Sequence, residues 1–358
     1  MRRTLSHGFS QKGVLQFEAE IAQIVQKYLN VIQKSQQPHN LYETTHNLFT
    51  DITSQLAFVK NFDTLSGDKH QCAKDIETYF GIAPIYGIMP IARYLPFGEF
   101  HAAQQAGPRI VRGIQSFIDD FRHRIRGGTS EHGLLCYMVE ERKDGEHTKF
   151  SDAETIENSV IFIIAGSGTS ASTVLYLLFE LAKRPAMQNR LREEIQQAFP
   201  NPTVLPDFET ALTLPYLNCV LQETLRLRGP LATIAPRISP GKVIGGVYVP
   251  AGVVVANLAY STQRDPDIYS RPLEFLPERW ENPTPSMKTM HRPFSIGARN
   301  CIGMHLARVQ MLLTVCALYQ RFDLRLDSLM TEDMMYMRDV GLMTPSGKQL
   351  WMHVTPRT

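Results

Sequence analysis

No stretch of eighteen or more consecutive apolar residues occurs in this 358-residue chain, so no segment is expected to span a membrane. The opening, Met1-Arg2-Arg3-Thr4, runs into polar sequence and lacks the apolar core of a signal peptide. The five cysteines (72, 136, 219, 301 and 316) form no close-spaced pair. That argues against a zinc site or a disulfide framework and for a reducing setting. Neither sign of charge dominates: the net is +2, and nothing points to nucleic acid. Internal repeats and low-complexity tracts are missing as well. What is present is ordinary for a globular chain, 43% hydrophobic and 20% charged, with length enough for one large core.

Against that plain background one stretch stands out, Phe294-Ser295-Ile296-Gly297-Ala298-Arg299-Asn300-Cys301-Ile302-Gly303. It reads as a loop ending in a cysteine and running into an apolar helix from about 304 to 319. Glycines bracket the cysteine and leave room for a flat ligand to approach the backbone. Arg299 can reach an anionic group beside such a ligand. Free N–H groups and the dipole at a helix start favour a thiolate at Cys301. Alone, Cys301 would read as a small buried hydrophobe. The ten-residue constellation points instead to an axial ligand of haem iron.

The stretch resembles the haem-binding signature of the cytochrome P-450 family, F-x-x-G-x-R-x-C-x-G, matched at Phe294, Gly297, Arg299, Cys301 and Gly303. The resemblance implies haem b held by the Cys301 thiolate. It also implies a mainly α fold with small β-sheets (α+β), forming one domain over 1–358 that is incomplete at its N-terminus. The opening ten residues look like the second half of a helix stopped near Gly8, whose arginine touches a haem propionate in the family. Arg2 matches better and Arg3 is the alternate; a solvated N-terminus is an equally good reading of either.

Ser151-Asp152-Ala153-Glu154 is a capping box that opens a helix expected to run to Lys183-Arg184, before Pro185. Two glycines lie mid-helix in Ala165-Gly166-Ser167-Gly168-Thr169-Ser170, each costing about 1 kcal/mol relative to alanine. Small residues there allow either a close helix crossing or a groove for dioxygen. The stretch resembles the family's oxygen-binding motif at Ala165, Gly166, Thr169 and Ser170, which implies Thr169 as hydrogen-bond donor. Gly168 stands where the family usually has an acid. That leaves the proton relay to Thr169 and ordered water, with more loss of oxygen to peroxide.

The remaining motifs follow in order. Residues 14 to 60 read as two amphipathic helices, and 76 to 100 as a roof over the substrate or a surface helix pair. A short helix is expected over 134–141 and a polar loop over 143–150. Glu223 and Arg226 lie three apart on a helix over 214–227. Exposed, such a pair is worth about 0.2–0.5 kcal/mol. Buried with Arg279 as third member, losing one partner costs about 3–5 kcal/mol. The arrangement resembles the family's E-x-x-R helix and later arginine. A strand over 231–238 and a hairpin turning at Pro250-Ala251-Gly252 come next, with Arg237 implied as a second propionate partner. Lys288, Arg292 and Arg308 read as a docking face for an acidic redox partner or as solvated surface.

By resemblance, then, the expected activity is insertion of one atom of O2 into a lipophilic small molecule, in the manner of fungal secondary-metabolism members. Electrons would come from NADPH through NADPH-cytochrome reductase. The chain would be a monomer on the cytoplasmic side of the endoplasmic reticulum, or soluble, since it carries no anchor. The same residues leave open a shortened, non-catalytic haem-binding paralogue, or a haem-thiolate isomerase or dehydratase that needs no reductase.

Overall fold

Several helices start at side-chain caps, among them Ser10, Asn40, Ser151, Asp207 and Thr284. The computed structural model describes residues 2–67, 70–127, 133–139 and 150–357. Most of the polar loop expected at 143–150, and the end of the short helix expected over 134–141, lie outside these residues. The first half holds α1 (Arg2–Ser6), α2 (Gln11–Leu15), α3 (Glu18–Lys34), α4 (Leu41–Phe58), α5 (Gln71–Ile88), α6 (Gly98–Arg126) and α7 (Cys136–Val139). The second half holds α8 (Asp152–Ala182), α9 (Pro185–Ala198), α10 (Phe208–Thr213), α11 (Pro215–Leu227), α12 (Ala259–Thr262), α13 (Pro285–Met290) and α14 (Met304–Arg321). The 29-residue α6 is the one long helix that sequence patterning passed over. Its Pro108 and two internal glycines, Gly107 and Gly113, blur the apolar stripe.

The strands are few. β1 (His39–Asn40), β4 (Phe322–Leu326) and β7 (Trp351–Pro356) make a sheet with β7 central and antiparallel to both neighbours. β5 (Met337–Asp339) pairs with β6 (Met343–Pro345). β2 (Ile234–Ile244) and β3 (Val247–Asn257) form a two-stranded hairpin of their own. Its turn falls at Gly245-Gly246, not at Pro250-Ala251-Gly252 as the sequence suggested. Both glycines have positive φ, 57° and 82°, the backbone a tight two-residue turn requires. Pro250-Ala251-Gly252 instead lies within β3, beside a register irregularity where a missing N–H does little harm.

The core sits where α3, α4, α8, α11 and α14 meet, and α8 runs through its middle. The capping box is formed: Ser151 Oγ accepts from the Glu154 N–H, and the Glu154 carboxylate accepts from the Ser151 N–H at 2.8 Å. From Ser170 to Leu181 every residue of α8 is buried. Among the described residues α8 is also the one helix long and apolar enough to cross a membrane, but here it is a core helix. Phe162 is buried against Phe9 of the α1–α2 segment, with ring centroids 5.2 Å apart.

Gly166 marks where α4 crosses α8. A Cβ on Gly166 would lie 2.8 Å from Thr53 Oγ1 and 2.9 Å from Thr53 Cγ2. Thr53 is 2% exposed and its hydroxyl donates to the Phe49 carbonyl at 2.7 Å, so it has nowhere to go. Gly166→Ala should therefore lower stability by about 1–3 kcal/mol through overpacking. In a Thr53→Ala background the same substitution should instead raise stability by about 1 kcal/mol, because helix propensity is then free to act. Urea midpoints of the four proteins check this. The same sign in both backgrounds would contradict the crossing.

Candidate functional site

The cysteine loop is closed by its own backbone. The Cys301 N–H donates to the Phe294 carbonyl at 2.8 Å, and the Asn300 N–H to the Gly297 carbonyl at 3.1 Å. The reversal between them uses positive φ at Ser295 (59°) and Gly297 (76°), and nothing lies within 4 Å of where a Gly297 Cβ would be. Ile296, Gly297, Ala298, Arg299 and Cys301 all face solvent. Gly303 is the residue before α14, and a Cβ there would reach only Cys301 Sγ, at 4.0 Å. The result is an exposed loop with one sulfur on it and open space where the Gly297 side chain would be.

That sulfur does not titrate as the helix-start argument predicts. Burial pushes the Cys301 thiol up from its ordinary range; the Gly303 N–H and the Arg2 charge pull it down, but less. Solvent reaches the residue, while protein surrounds the sulfur on most sides. A neutral thiol is the favoured form until a cation meets it, as for any cysteine that becomes a metal thiolate. Arg2, from α1, hydrogen-bonds the Asn300 side chain and so stands beside the loop. This joins the two ends of the sequence reading, Arg2 and Cys301, in one place. Arg237 on β2 is exposed, and its guanidinium donates to the Ala235 and Pro236 carbonyls at 3.1 and 3.0 Å. Arg299 is exposed as well.

Behind the loop stands a buried carboxylate. Glu223, fully buried on α11, accepts from Arg226 at 2.8 Å to each oxygen, from Arg279 Nε at 3.0 Å, from the Leu276 N–H at 2.9 Å and from Trp280 Nε1 at 2.9 Å. Burial alone would raise its pKa; the Arg226 hydrogen bond and charge, the Leu276 N–H and the Arg279 charge outweigh that and hold it below the ordinary value. Arg226 continues to the carbonyls of Gln263, Pro272 and Glu274. The expected triad is thus present. The sequence missed two more members, Trp280 and the Leu276 N–H. Gln263 then donates to the Met290 carbonyl at 3.0 Å, accepts from Tyr269 at 3.0 Å, and meets His291 Nδ1 at 3.1 Å. His291 comes three residues before Phe294, so the chain of bonds ends at the loop.

On α8, Ile161 and Ala165 are exposed, and Thr169 Oγ1 donates back to the Ala165 carbonyl at 2.7 Å. Ser167 and Thr173 do the same to Ile163 and Thr169. Gly168 faces the turn after β5: a Cβ there would stand 3.2 Å from Leu342 Cδ1. The Met343 N–H donates to the Pro230 carbonyl at 2.9 Å, which ties the same turn to the segment leading into β2. Leu342 therefore lies against α8 at Gly168, and Pro230 is bonded to the residue after it. Gly166 and Ser170 do not share the exposure of Ile161 and Ala165. Gly166 packs on Thr53, and Ser170 is 1% exposed and takes a hydrogen bond from Gln310 at 2.6 Å. Of the basic residues about the loop, Lys288 is exposed, while Arg292 and Arg308 are half-buried and bonded to backbone carbonyls and Asn218 respectively.

An exposed cysteine flanked by glycines, with Arg2 beside its loop and Arg299 within it, suits a porphyrin. The family model for cytochrome P-450 matches residues 1–352. The chain belongs to the cytochrome P-450 family. Among curated members it is 32% identical to cytochrome P-450 monooxygenase astJ of Aspergillus oryzae, over 91% of this chain and 67% of that one. It is 30% identical to averantin hydroxylase of Aspergillus parasiticus, over 99% and 74% of the two chains. It is 32% identical to cytochrome P-450 monooxygenase stcF of Emericella nidulans, over 100% and 76%. The fold matches the crystal structure of the cytochrome P-450DA heme domain with a TM-score of 0.86, at 20% identity, over all of this chain and 77% of that one. Family and relatives make this P-450 chain an oxidoreductase of the monooxygenase kind, of the type found in fungal secondary metabolism.

One titration tests the support behind the P-450 loop. Burial, with the Arg226 and Arg292 charges, lowers His291 from 6.5 to about 4, against an opposing pull from Glu223. Its Nδ1 lies 3.1 Å from Gln263 Oε1 and its Nε2 lies 2.7 Å from Gln222 Oε1. The unfolded chain protonates His291 below about pH 6.5 and the folded chain only near pH 4. Stability should therefore fall as pH drops between those values, by at most about 1.4 kcal/mol per unit from this group. His291→Gln should flatten that slope in denaturation curves taken from pH 7 to 4.5. An unchanged slope would mean that the ring is charged in the fold.

Proposed function

We propose that this chain inserts one oxygen atom from O2 into a lipophilic small molecule, with electrons from NADPH delivered by NADPH-cytochrome reductase. The observation that carries the reading is the Cys301 sulfur, presented at the end of a backbone-closed, glycine-flanked loop. Haem b, held by that sulfur, would supply the oxygen chemistry, since a thiolate ligand favours O–O cleavage. Arg2, Arg237 and Arg299 would take the propionates. Rotation of the Thr169 hydroxyl away from the Ala165 carbonyl would free it to donate toward the groove. Ala165, Leu231 and Leu342 would offer an apolar wall that excludes water and admits an apolar substrate. Lys288 gives the cysteine side an exposed positive charge for an acidic partner. The relatives' names support a secondary metabolite as substrate, and the family supports the cytoplasmic face of the endoplasmic reticulum as its place.

Gly168 favours a second reading, a haem-thiolate isomerase or dehydratase, because a relay acid is missing beside the groove. Reductase dependence separates the two. With the haem-loaded protein and an accepted substrate, product should form only when NADPH and reductase are both present. Product formed equally well without them would favour the isomerase. Where NADPH is consumed, Gly168→Glu should lower the peroxide released per NADPH. A Cβ at this position meets only the end of the Leu342 side chain, at 3.2 Å. Unchanged peroxide would count against the relay argument.

A further inference from the structure

Gln310 lies on α14, nine residues after Cys301, and is 1% exposed. Its Nε2 donates to two groups on α8 at once, the Gly166 carbonyl at 3.2 Å and Ser170 Oγ at 2.6 Å. Both belong to the turn that carries Ala165 and Thr169. Its Oε1 is buried with no hydrogen-bond partner. Methionine would fill the same volume without stranding an acceptor, so packing alone does not account for an amide here. The donated hydrogens do: they join the helix that starts at the cysteine loop to the turn of α8 that faces the groove. Gln310 is two turns into α14, about 9 Å from Met304 at 1.5 Å per residue, which makes a short, stiff connection. The same turn also rests on Thr53.

We propose that Gln310 is a positioning residue that fixes the distance between the Cys301 side of the site and the Ala165–Thr169 face of α8. It does so through the Gly166 carbonyl and the Ser170 hydroxyl, and it touches neither substrate nor reacting atoms. Ser170 thereby acts as the receiving end of this clamp, not as a proton donor in the groove. The inference rests on the haem-thiolate reading given above.

The test uses the haem-loaded full chain, reduced with dithionite and saturated with carbon monoxide, as wild type, Gln310→Met and Ser170→Ala. The Soret band reports the sulfur ligand, and the C–O stretching band reports the α8 side. In Gln310→Met the Soret position should match wild type while the C–O band shifts or splits, and peroxide released per NADPH should rise several-fold. Ser170→Ala keeps the Gly166 contact and should move the C–O band the same way by less. A C–O band and peroxide yield identical to wild type in Gln310→Met would overturn the clamp and leave the haem-thiolate reading intact. Loss of the thiolate Soret band in a folded Gln310→Met would also overturn it, by placing the residue's effect on the cysteine side. Should Gln310→Met not fold, Ser170→Ala decides by the same bands. A wild type without the thiolate Soret band would overturn both readings together.

Discussion

One buried carboxylate holds the cysteine loop in place. Glu223 has no exposure to water and is satisfied entirely by protein donors, two of them arginines. A charge buried this way is tolerable only while every partner stays, so the partners are locked relative to one another. Through Arg226 the lock reaches Gln263, and through Gln263 it reaches Met290 and His291, where the chain turns into Phe294 and the loop. The loop needs that external support. Its own backbone makes only a few bonds and passes through left-handed geometry at Ser295 and Gly297, where a side chain is costly.

The second constraint is the placing of α8. Its middle is pressed by Thr53 and tied to α14 at Gly166 and Ser170, while Ile161 and Ala165 stay exposed. Serine and threonine hydroxyls bond back to carbonyls along that stretch, loosening the helix where two glycines already do so. Sulfur on one side and a loosened, open helix face on the other are what a flat cofactor with a small gaseous substrate would need. The two sides are connected by α14, so the support of one bears on the other.

Much of this was legible in the residues. The capping box at Ser151 set the start of α8, and apolar periodicity found α3, α4 and α11. The spacing of Glu223 and Arg226 left an exposed or a buried pair open, with Arg279 as third member implied by resemblance; the fold buries the pair and brings Arg279 to it. The cysteine loop was the clearest, since its glycines and cysteine serve no packing purpose together. Other features were hidden because they depend on tertiary contacts. Gly166 could serve a groove or a crossing, and only Thr53 decides for the crossing. Ser170 sits next to Thr169 in sequence but turns about 100° away on a helix, into the core. Gln310 has no motif to announce it. The hairpin turn was misplaced because Pro250-Ala251-Gly252 looks like a turn, while Gly245-Gly246 has the backbone freedom the strand twist demands. The thiol at Cys301 was expected to be acidic from its helix; desolvation, which no local pattern reveals, outweighs that.

The account stands on sulfur at residue 301 meeting iron. The most direct measurement is the carbon monoxide difference spectrum of the reduced, haem-loaded protein beside that of Cys301→Ala, with circular dichroism to establish that both are folded. The account predicts a thiolate-type Soret band in the first and its complete loss in the second. The same band in both, or in neither, would contradict it.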